Sequence, residues 1–404
     1  MKGLKLTFLC MFIEIIVAIL LGLSAGVITG ITPGIHINLV SVLALSASPF
    51  LLQHFSLLAL PLFIISMSVT HTFVDVLPSI FLGAPEAGTE LGVLPGHRYL
   101  LKGHGLQAVR LTLIGSFGGL LMSLLLMPLF GLMVTLAYPF LEKCIPFILS
   151  AVIAFMILRD RKPAWAFFVL LLSGSLGLLV LNLPQLTDPL FPLFSGMFGI
   201  ATLLVSLNSK ESIPKQKKTR TVKLKPSTAF KALCSGECSG FLTAVLPGLG
   251  ASTAAVLSMQ VTRKLGDSGF MILMGSIGTV NFVLSLLSYY LIDKARNGSI
   301  VVVQKLLGVV TLHQIVLFCC AALVAGSIAA AATLSLGKRF AVYISRVPYQ
   351  RMILGIILLI TLLVLLLTGW VGFIVLLAST AVGLIPAIVK VTRTQAMGCL
   401  LVPV

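Results

Sequence analysis

The amino-acid sequence predicts an all-α integral membrane protein, and three observations support that fold class. Hydrophobic residues make up 58% of the 404 positions, charged residues make up only 10%, and the mean hydropathy is +1.13. A soluble domain carries roughly a quarter charged residues. Long apolar segments of low charge are typical of helices that cross a bilayer, so we expect about 9–11 transmembrane helices. The third observation is an internal repeat.

The repeat divides the chain into two halves. Residues 25–45 align without a gap on residues 239–259, and residues 73–82 align more weakly on 282–291. We therefore predict a first transmembrane repeat at 1–208, a linker at 209–226 and a second transmembrane repeat at 227–404. Identical residues in the longer match are Gly26/Gly240, Thr29/Thr243, Pro33/Pro247, Gly34/Gly248, Val42/Val256 and Leu43/Leu257.

The linker is basic, and its charge sets the predicted orientation. Asn208–Lys225 contains seven basic residues and one acidic residue. The positive-inside rule places such a segment in the cytoplasm. Because the other basic residues also lie between apolar segments, the net charge of +17 reflects membrane topology, and we expect no nucleic-acid partner. The seven cysteines are scattered, so neither disulfides nor a metal site is expected.

Counting spans outward from the linker gives the topology. We treat residues 15–50 and 232–262 as re-entrant hairpins, each interrupted at a Pro-Gly pair. Five spans in the first repeat then put the hairpins on opposite faces of a plasma membrane, as in an inverted repeat with a cytoplasmic C-terminus. Basic residues support this arrangement, with 21 on the cytoplasmic side and six outside. The predicted spans are 55–81, 107–136, 146–158, 164–182, 190–207, 269–292, 309–336, 351–368 and 370–389.

The two Pro-Gly pairs predict the substrate site. Proline removes a backbone donor, and glycine permits dihedral angles that end a helix. A helix that restarts inside the membrane presents free N–H groups and a positive dipole end, which favour an anion. Paired breaks in two repeats indicate a transporter site. The predicted substrate-binding residues are Pro33, Gly34, His36 and Asn38 in the first repeat, and Pro247, Gly248, Gly250, Ser252 and Thr253 in the second.

Few other polar residues lie inside apolar segments, and these are candidates for binding a coupling ion. His71 and Asp75 lie four residues apart and therefore on one helical face. They could hold a proton or help to bind Na⁺, or form a mutually satisfied buried pair. Asn281 falls near the matching place in the second repeat. We assign the coupling ion to His71, Asp75 and Asn281.

The sequence contains no motif for catalysis. It has no glycine-rich phosphate loop ending in Lys-Ser or Lys-Thr, no HExxH and no GxSxG. We therefore expect neither an enzyme nor a cofactor. The leading interpretation is an ion-coupled transporter of small organic anions, working by alternating access as one repeat rocks against the other. Two alternatives stay open: a carrier of polyprenyl phosphate or another lipid phosphate, and a non-transporting membrane scaffold.

The segment after the first hairpin resembles a known family. Residues 79–108 have the sequence SIFLGAPEAGTELGVLPGHRYLLKGHGLQA, with glycines and prolines at Gly83, Pro85 and Gly88, then Gly96, Tyr99 and Lys102-Gly103. Together with the VLPGLGAS segment at 245–252, this is similar to the large permease subunit of the tripartite tricarboxylate transporter (TctA) family. The resemblance implies a carboxylate transporter driven by Na⁺ or H⁺. It also implies a substrate-binding protein and a small membrane subunit as partners.

Overall fold

The computed structural model of the protein is predominantly helical in the part of the chain that it describes. It describes residues 2–32, 37–82, 93–186, 189–207, 214–217, 224–245, 251–262, 265–343 and 349–403. Within these ranges there are no strands, and seven helices are long and apolar enough to cross a membrane. The prediction of an all-α integral membrane protein is confirmed.

Nine helices precede the linker and seven follow it in the described ranges. The first nine are α1 (Lys2–Ile31), α2 (Ile37–Leu51), α3 (Ala59–Val74), α4 (Val93–Leu101), α5 (Gly105–Leu125), α6 (Met127–Leu158), α7 (Pro163–Leu181), α8 (Leu190–Phe194) and α9 (Ala201–Leu207). The others are α10 (Pro226–Val245), α11 (Ala251–Thr262), α12 (Gly266–Ile292), α13 (Gly298–Leu307), α14 (Leu312–Tyr343), α15 (Tyr349–Val389) and α16 (Gly398–Leu401). A π-helical turn at Pro78–Leu82 follows α3, and another at Ser195–Ile200 joins α8 to α9.

Helices α1 and α3 run side by side in the same direction. A Cβ placed on Gly22 would lie 2.8 Å from Cβ of Ser66, and one on Gly26 would lie 2.6 Å from Cβ of Thr70. From the first contact to the second, the residue number increases in both α1 and α3, so the two helices are parallel. Glycine is required here because the helix backbones approach too closely for a larger side chain.

Helix α2, which connects α1 to α3 in the sequence, runs back along the bundle and packs on α3 and α13. In the loop from α2 to α3, the backbone N–H of Ser56 donates a hydrogen bond to the Glu14 carboxylate of α1. The end of α2 has therefore come back to the level of Glu14. With 15 residues, α2 is about 22 Å long, which is shorter than the hydrocarbon core of about 30 Å.

The second repeat has the same local arrangement. A Cβ on Gly240 would lie 2.5 Å from Cβ of Val280, and Gly236 faces Ser276, so α10 and α12 are parallel. Helix α11 returns antiparallel to α10. Its Ser258 hydroxyl hydrogen-bonds the Ser239 hydroxyl at 2.5 Å and donates to the carbonyl oxygen of Ser235 at 3.3 Å, while Ser239 Oγ donates to the carbonyl oxygen of Ala254 at 3.4 Å.

The two repeats interleave. Helix α5 of the first repeat lies along α12 of the second, where the Ser116 hydroxyl donates to the carbonyl oxygen of Gly275 at 3.1 Å and Gly119 faces Ser276. Helix α14 of the second repeat packs on α3 and α5 of the first. A Cβ on Gly326 would lie 2.5 Å from Leu120, and one on Gly337 would lie 3.4 Å from Leu106.

These contacts fix the relative directions of the helices. Residue numbers in α5 and α12 rise together, whereas those in α5 and α14 change in opposite senses. The start of α5 meets the end of the α3 segment, where a Cβ on Gly105 would lie 2.9 Å from Phe81. Because α3 is antiparallel to α5 and α5 is parallel to α12, the α1–α3 unit runs opposite to the α10–α12 unit.

A second body packs beside the interleaved helices. It is built from α7, α8, α9, α15 and α16, which bury hydrophobic clusters of their own. A hydrogen bond of 3.1 Å from the Ser379 hydroxyl of α15 to the carbonyl oxygen of Pro192 in α8 lies inside this body. Ala254 of α11 contributes to one of the hydrophobic clusters of this second body, so the second hairpin contacts both the interleaved helices and the second body.

The structure corrects two predicted spans. The predicted span at 107–136 is wrong, because α5 ends at Leu125 and α6 begins at Met127. Pro128 is the cause: it has no N–H and fits only the first turn of a new helix. The separate span at 146–158 is also wrong, since α6 is continuous for 32 residues. Conversely, the break between 351–368 and 370–389 is confirmed, because Gly369 has φ +65° and ψ −163° within α15.

Candidate substrate and ion site

Helix α13 begins in the interior of the bundle. After α12 ends at Ile292, the chain turns inward, and the Asn297 amide donates to Oδ1 of Asn281 at 3.4 Å. Asn281 lies 12 residues before Asp293, which is about 18 Å along the α12 axis. Helix α13 then runs back, and its Gln304 amide donates to the carbonyl oxygen of Asp293 at 2.8 Å. A half-length helix therefore points its N-terminus inward.

Asn297 caps this partly buried helix end. Its Oδ1 accepts hydrogen bonds from the backbone N–H of Ser299 at 3.1 Å and from the Ser299 hydroxyl at 2.7 Å. The backbone N–H groups in the first turn of a helix have no intrahelical acceptor, and an asparagine N-cap accepts from only some of them. The positive end of the helix dipole remains directed into the bundle, where a negative charge would be stabilised.

Residues of both repeats meet at this helix end. The Asn281 amide of α12 donates to the Thr243 hydroxyl of α10 at 3.0 Å. On the other side, Asn38 of α2 lies against Gly298, where a Cβ would stand 2.5 Å from Asn38 Oδ1. The start of α2, the end of α10 and the start of α13 therefore converge, and we call Asn38, Thr243, Asn281, Asn297 and Gly298 the asparagine cluster.

The predicted ion residues occupy related places in the two repeats. In the first, His71 Nδ1 shares a hydrogen bond of 3.0 Å with the Thr29 hydroxyl. In the second, Asn281 bonds Thr243, which the sequence repeat aligns with Thr29. Each of these threonines lies four residues before the proline of its break, so each bond ties a hairpin to the following helix.

Asp75 lies one turn beyond His71 on the same face of α3. Its side chain is buried, with 7% exposure, and the backbone N–H of Val76 hydrogen-bonds its carboxyl group. The backbone N–H of Asp75 donates to the His71 carbonyl oxygen at 2.9 Å, as in a regular helix. The structure therefore brings His71 to Thr29 and places Asp75 one turn further along α3, beside Gly30 near the end of α1.

Besides Asn38, the structure describes two of the predicted substrate-binding residues. Ser252 and Thr253 lie in the first turn of α11. The remaining predicted residues, namely Pro33, Gly34, His36, Pro247, Gly248 and Gly250, lie outside the described residues.

Helix α13 and its cap are not among the predicted elements. Residues 298–307 are apolar but too short for a membrane span, and they lie between the predicted spans 269–292 and 309–336. A signal was present, because Asn297-Gly298-Ser299 has the composition of a helix start immediately before an apolar run.

Basic residues lie on the approach to the asparagine cluster. The Arg296 guanidinium donates to the Tyr138 hydroxyl at 3.1 Å, and the Lys294 ammonium lies 5.0 Å from the centre of the Tyr138 ring. Both belong to the five-residue turn between α12 and α13. Their positive charge raises the local concentration of anions near the buried helix end.

The segment with Gly96, Tyr99 and Gly103, which carries part of the family resemblance, lies at the opposite end of α12 from the asparagine cluster, beside the linker. Helix α4 carries Tyr99, whose hydroxyl hydrogen-bonds Ser268 at the start of α12 at 2.7 Å. Gly103 adopts φ +75°, and its carbonyl oxygen accepts from the backbone N–H of Lys217 in the linker at 2.8 Å. This segment therefore joins the linker to α4 and α12.

A helical bundle whose described residues include seven helices long and apolar enough to cross a membrane belongs to the class of polytopic membrane proteins. The chain matches the tripartite tricarboxylate transporter TctA family over residues 16–398, and it belongs to that family. The expected resemblance is confirmed. An uncharacterized protein of Methanocaldococcus jannaschii is 30% identical over 353 residues, which cover 86% of each chain. No solved structure matches.

Proposed function

We propose that this protein is the permease of an ion-coupled secondary transporter for small carboxylates. The observation that carries the proposal is the inward-pointing N-terminus of α13 within the asparagine cluster. Helix N-termini and side-chain amides donate hydrogen bonds without carrying a full charge, which suits an anion that must also be released. Membership of the TctA family favours carboxylates over the lipid-phosphate carrier and the membrane scaffold.

The two Pro-Gly breaks would complete the site. In this proposal Pro33, Gly34, His36 and Asn38 form one wall, and Pro247, Gly248, Gly250, Ser252 and Thr253 form the other. The contact between Asn38 and Gly298 supports it, because it brings the first hairpin to the helix end of the second repeat. The coupling ion, Na⁺ or H⁺, would bind near His71, Asp75 and Asn281. Of these, His71 bonds the first hairpin to α3 and Asn281 bonds the second hairpin to α12.

We further propose that the halves at 1–208 and 227–404 form an inverted repeat whose hairpins enter from opposite faces. The opposite directions of the α1–α3 and α10–α12 units support this relation. Rocking of one repeat against the other, the movement expected from the sequence, would separate the close α5–α12 contact at Ser116 and Gly275. We therefore propose that during alternating access the interleaved helices move as one unit relative to the second body.

The cellular setting follows from the family and the charge distribution. The family is one of tripartite transporters, so we propose a substrate-binding protein and a small membrane subunit as partners. The protein is a multi-pass membrane protein. In the proposed orientation the linker at 209–226 and the C-terminus face the cytoplasm, because most basic residues then lie inside.

Uptake of labelled citrate into proteoliposomes tests the proposal. The full-length protein, reconstituted alone and with a candidate binding protein, should accumulate citrate only when an inward Na⁺ or proton gradient is imposed. If no carboxylate in a panel of di- and tricarboxylates accumulates under either gradient, the proposal is wrong. Accumulation of a polyprenyl phosphate instead would favour the lipid-phosphate carrier.

Two variants connect that activity to the site. Gly298→Ala places a methyl group against the Asn38 amide, and Gly248→Leu obstructs the second break, so both should insert normally and lose citrate uptake. The matched control is Gly355→Ala in α15, where a Cβ would meet nothing within 4 Å. Full citrate uptake by Gly248→Leu would show that the Pro-Gly breaks are not required for transport.

A further inference from the structure

Glu237 of α10 carries a carboxyl group that the proposed anion site does not use. Its side chain is 2% exposed, and neither carboxyl oxygen has a hydrogen-bond partner among the described residues. One turn earlier, Leu233 packs onto Gly118 of α5, where a Cβ would lie 2.7 Å from its Cδ2. One turn later, Phe241 stacks on Phe130 of α6 with ring centres 5.2 Å apart. The buried carboxyl group therefore lies between two apolar contacts, one turn before it and one turn after it on α10.

The position in the first repeat that is equivalent to Glu237 shows which kind of side chain is sufficient for helix packing there. The alignment that pairs Gly26 with Gly240 pairs Leu23 with Glu237. Leu23 is likewise buried, with 6% exposure. An apolar side chain therefore fills the equivalent position of α1, and the carboxyl group of Glu237 is not needed for the helix to pack.

The charged groups on α5 and α12 lie at other levels, whereas the thiols of Cys234 and Cys238 on α10 lie within one turn of Glu237. Arg110 of α5 is eight residues from Gly118, and Asp267 of α12 is nine residues from Ser276, distances of about 12 to 14 Å along the helices. Asp267 is paired with Arg98 at 3.2 Å, and helix α11 has no titratable residue. The remaining such groups on α6, α10 and α12 are Tyr138, Glu142, Lys143, Cys144, Lys231, Cys234, Cys238, Tyr289 and Tyr290.

An ionised carboxylate in such surroundings is costly. Burial of a charge with neither an opposite charge nor a hydrogen-bond donor costs several kcal/mol or more. A carboxyl group that carries a proton avoids most of that cost. The enclosed arrangement in this structure is therefore compatible with the neutral acid.

We propose that Glu237 is a proton-binding site of the transport cycle. Its carboxylate takes a proton from water on one side of the membrane, is enclosed by α5, α6 and α10 as the neutral acid, and returns the proton to water on the other side. No other bond forms or breaks. The role in coupling rests on the proposed function, whereas the binding of a proton by Glu237 does not.

Infrared spectroscopy of the full-length protein in lipid bilayers tests proton binding without any substrate. The carbonyl stretch of a protonated carboxyl group should be present at neutral pH and disappear as the pH is raised. Glu237→Gln should lack this component, and so should Glu237→Leu, which copies the residue of the equivalent position in α1. The adjacent, exposed Cys238→Ser should keep it. An unchanged carbonyl component in both folded Glu237 variants would overturn the proposal.

Transport of citrate tests the coupling role. In proteoliposomes under an inward proton gradient, Glu237→Gln should lose gradient-driven accumulation, and any uptake that remains should no longer depend on pH. Cys238→Ser should behave as the unmodified protein. Gradient-driven accumulation retained in Glu237→Gln would contradict the coupling role. Failure of the unmodified protein to move any carboxylate would instead count against the proposed function, with the infrared result still deciding proton binding.

Discussion

The close contact between α5 and α12 gives a quantitative prediction for Gly275→Ala. A Cβ on Gly275 would lie 2.8 Å from Cγ2 and 2.9 Å from the carbonyl carbon of Thr112, whereas ordinary contacts begin near 3.4 Å. The carbonyl carbon belongs to a helix backbone and cannot rotate away. The helices must therefore part by at least about 0.5 Å, and overpacking of this kind costs about 1–3 kcal/mol.

A second glycine of α12 provides the matched control. At Gly278 a Cβ would meet nothing within 4 Å, yet the change to alanine has the same helix-propensity gain of about 1 kcal/mol. The free energy of unfolding, measured by titration with SDS and followed by far-UV circular dichroism, should be about 1–3 kcal/mol lower for Gly275→Ala than for Gly278→Ala. Equal stabilities of the two variants would refute the close packing of the two repeats.

Three further predictions concern a loop, a helix break and the asparagine cluster. Partial burial of Asp160 is opposed by hydrogen bonds from the Thr392 hydroxyl at 2.6 Å and backbone N–H at 3.0 Å, which hold the pKa of Asp160 below its usual value. The contribution of the Asp160 carboxylate to folding stability is complete above the unfolded pKa of about 3.9 and is lost as the pH falls through the lower folded pKa. The melting temperature should therefore fall at acid pH, and Asp160→Asn should reduce that fall. Gly369→Ala should lower the SDS-measured stability by about 1–3 kcal/mol although no atom lies within 4 Å, because its dihedral angles are almost restricted to glycine. Asn281→Leu should cost roughly 0.6 kcal/mol for the lost bond to Thr243 and should abolish citrate uptake; unaltered uptake would contradict its place in the site.

Apolar length and charge were sufficient to predict the long helices. The span at 164–182 corresponds to α7, and the span at 269–292 corresponds to α12. The predicted break at Gly369 is confirmed because this residue has dihedral angles that are almost restricted to glycine. At 107–136 the same reasoning failed, since Pro128 starts a helix as readily as it ends one.

The asparagine cluster could be predicted only in part. Asn38 was predicted to bind substrate because it follows the first Pro-Gly pair. Asn281 was predicted to bind the coupling ion because polar residues in apolar segments are rare and it falls near the place in the second repeat that matches His71 and Asp75. Asn297 and Gly298 were missed because an inward-turning half-helix of ten residues has no periodic signature of its own. Which polar residues meet depends on how the two repeats interleave, and that arrangement arises from the glycine contacts between α5 and α12.

The central claim is that the two hairpins enter from opposite faces and meet at one site. It can be tested by labelling single cysteines at the exposed bases of the hairpins, Gln53→Cys before α3 and Ser227→Cys at the start of α10, in a cysteine-free protein. In right-side-out membrane vesicles, a membrane-impermeant maleimide should label Gln53→Cys directly. Ser227→Cys should be labelled only after the vesicles are permeabilised. Labelling of both positions from the same side would contradict the inverted arrangement.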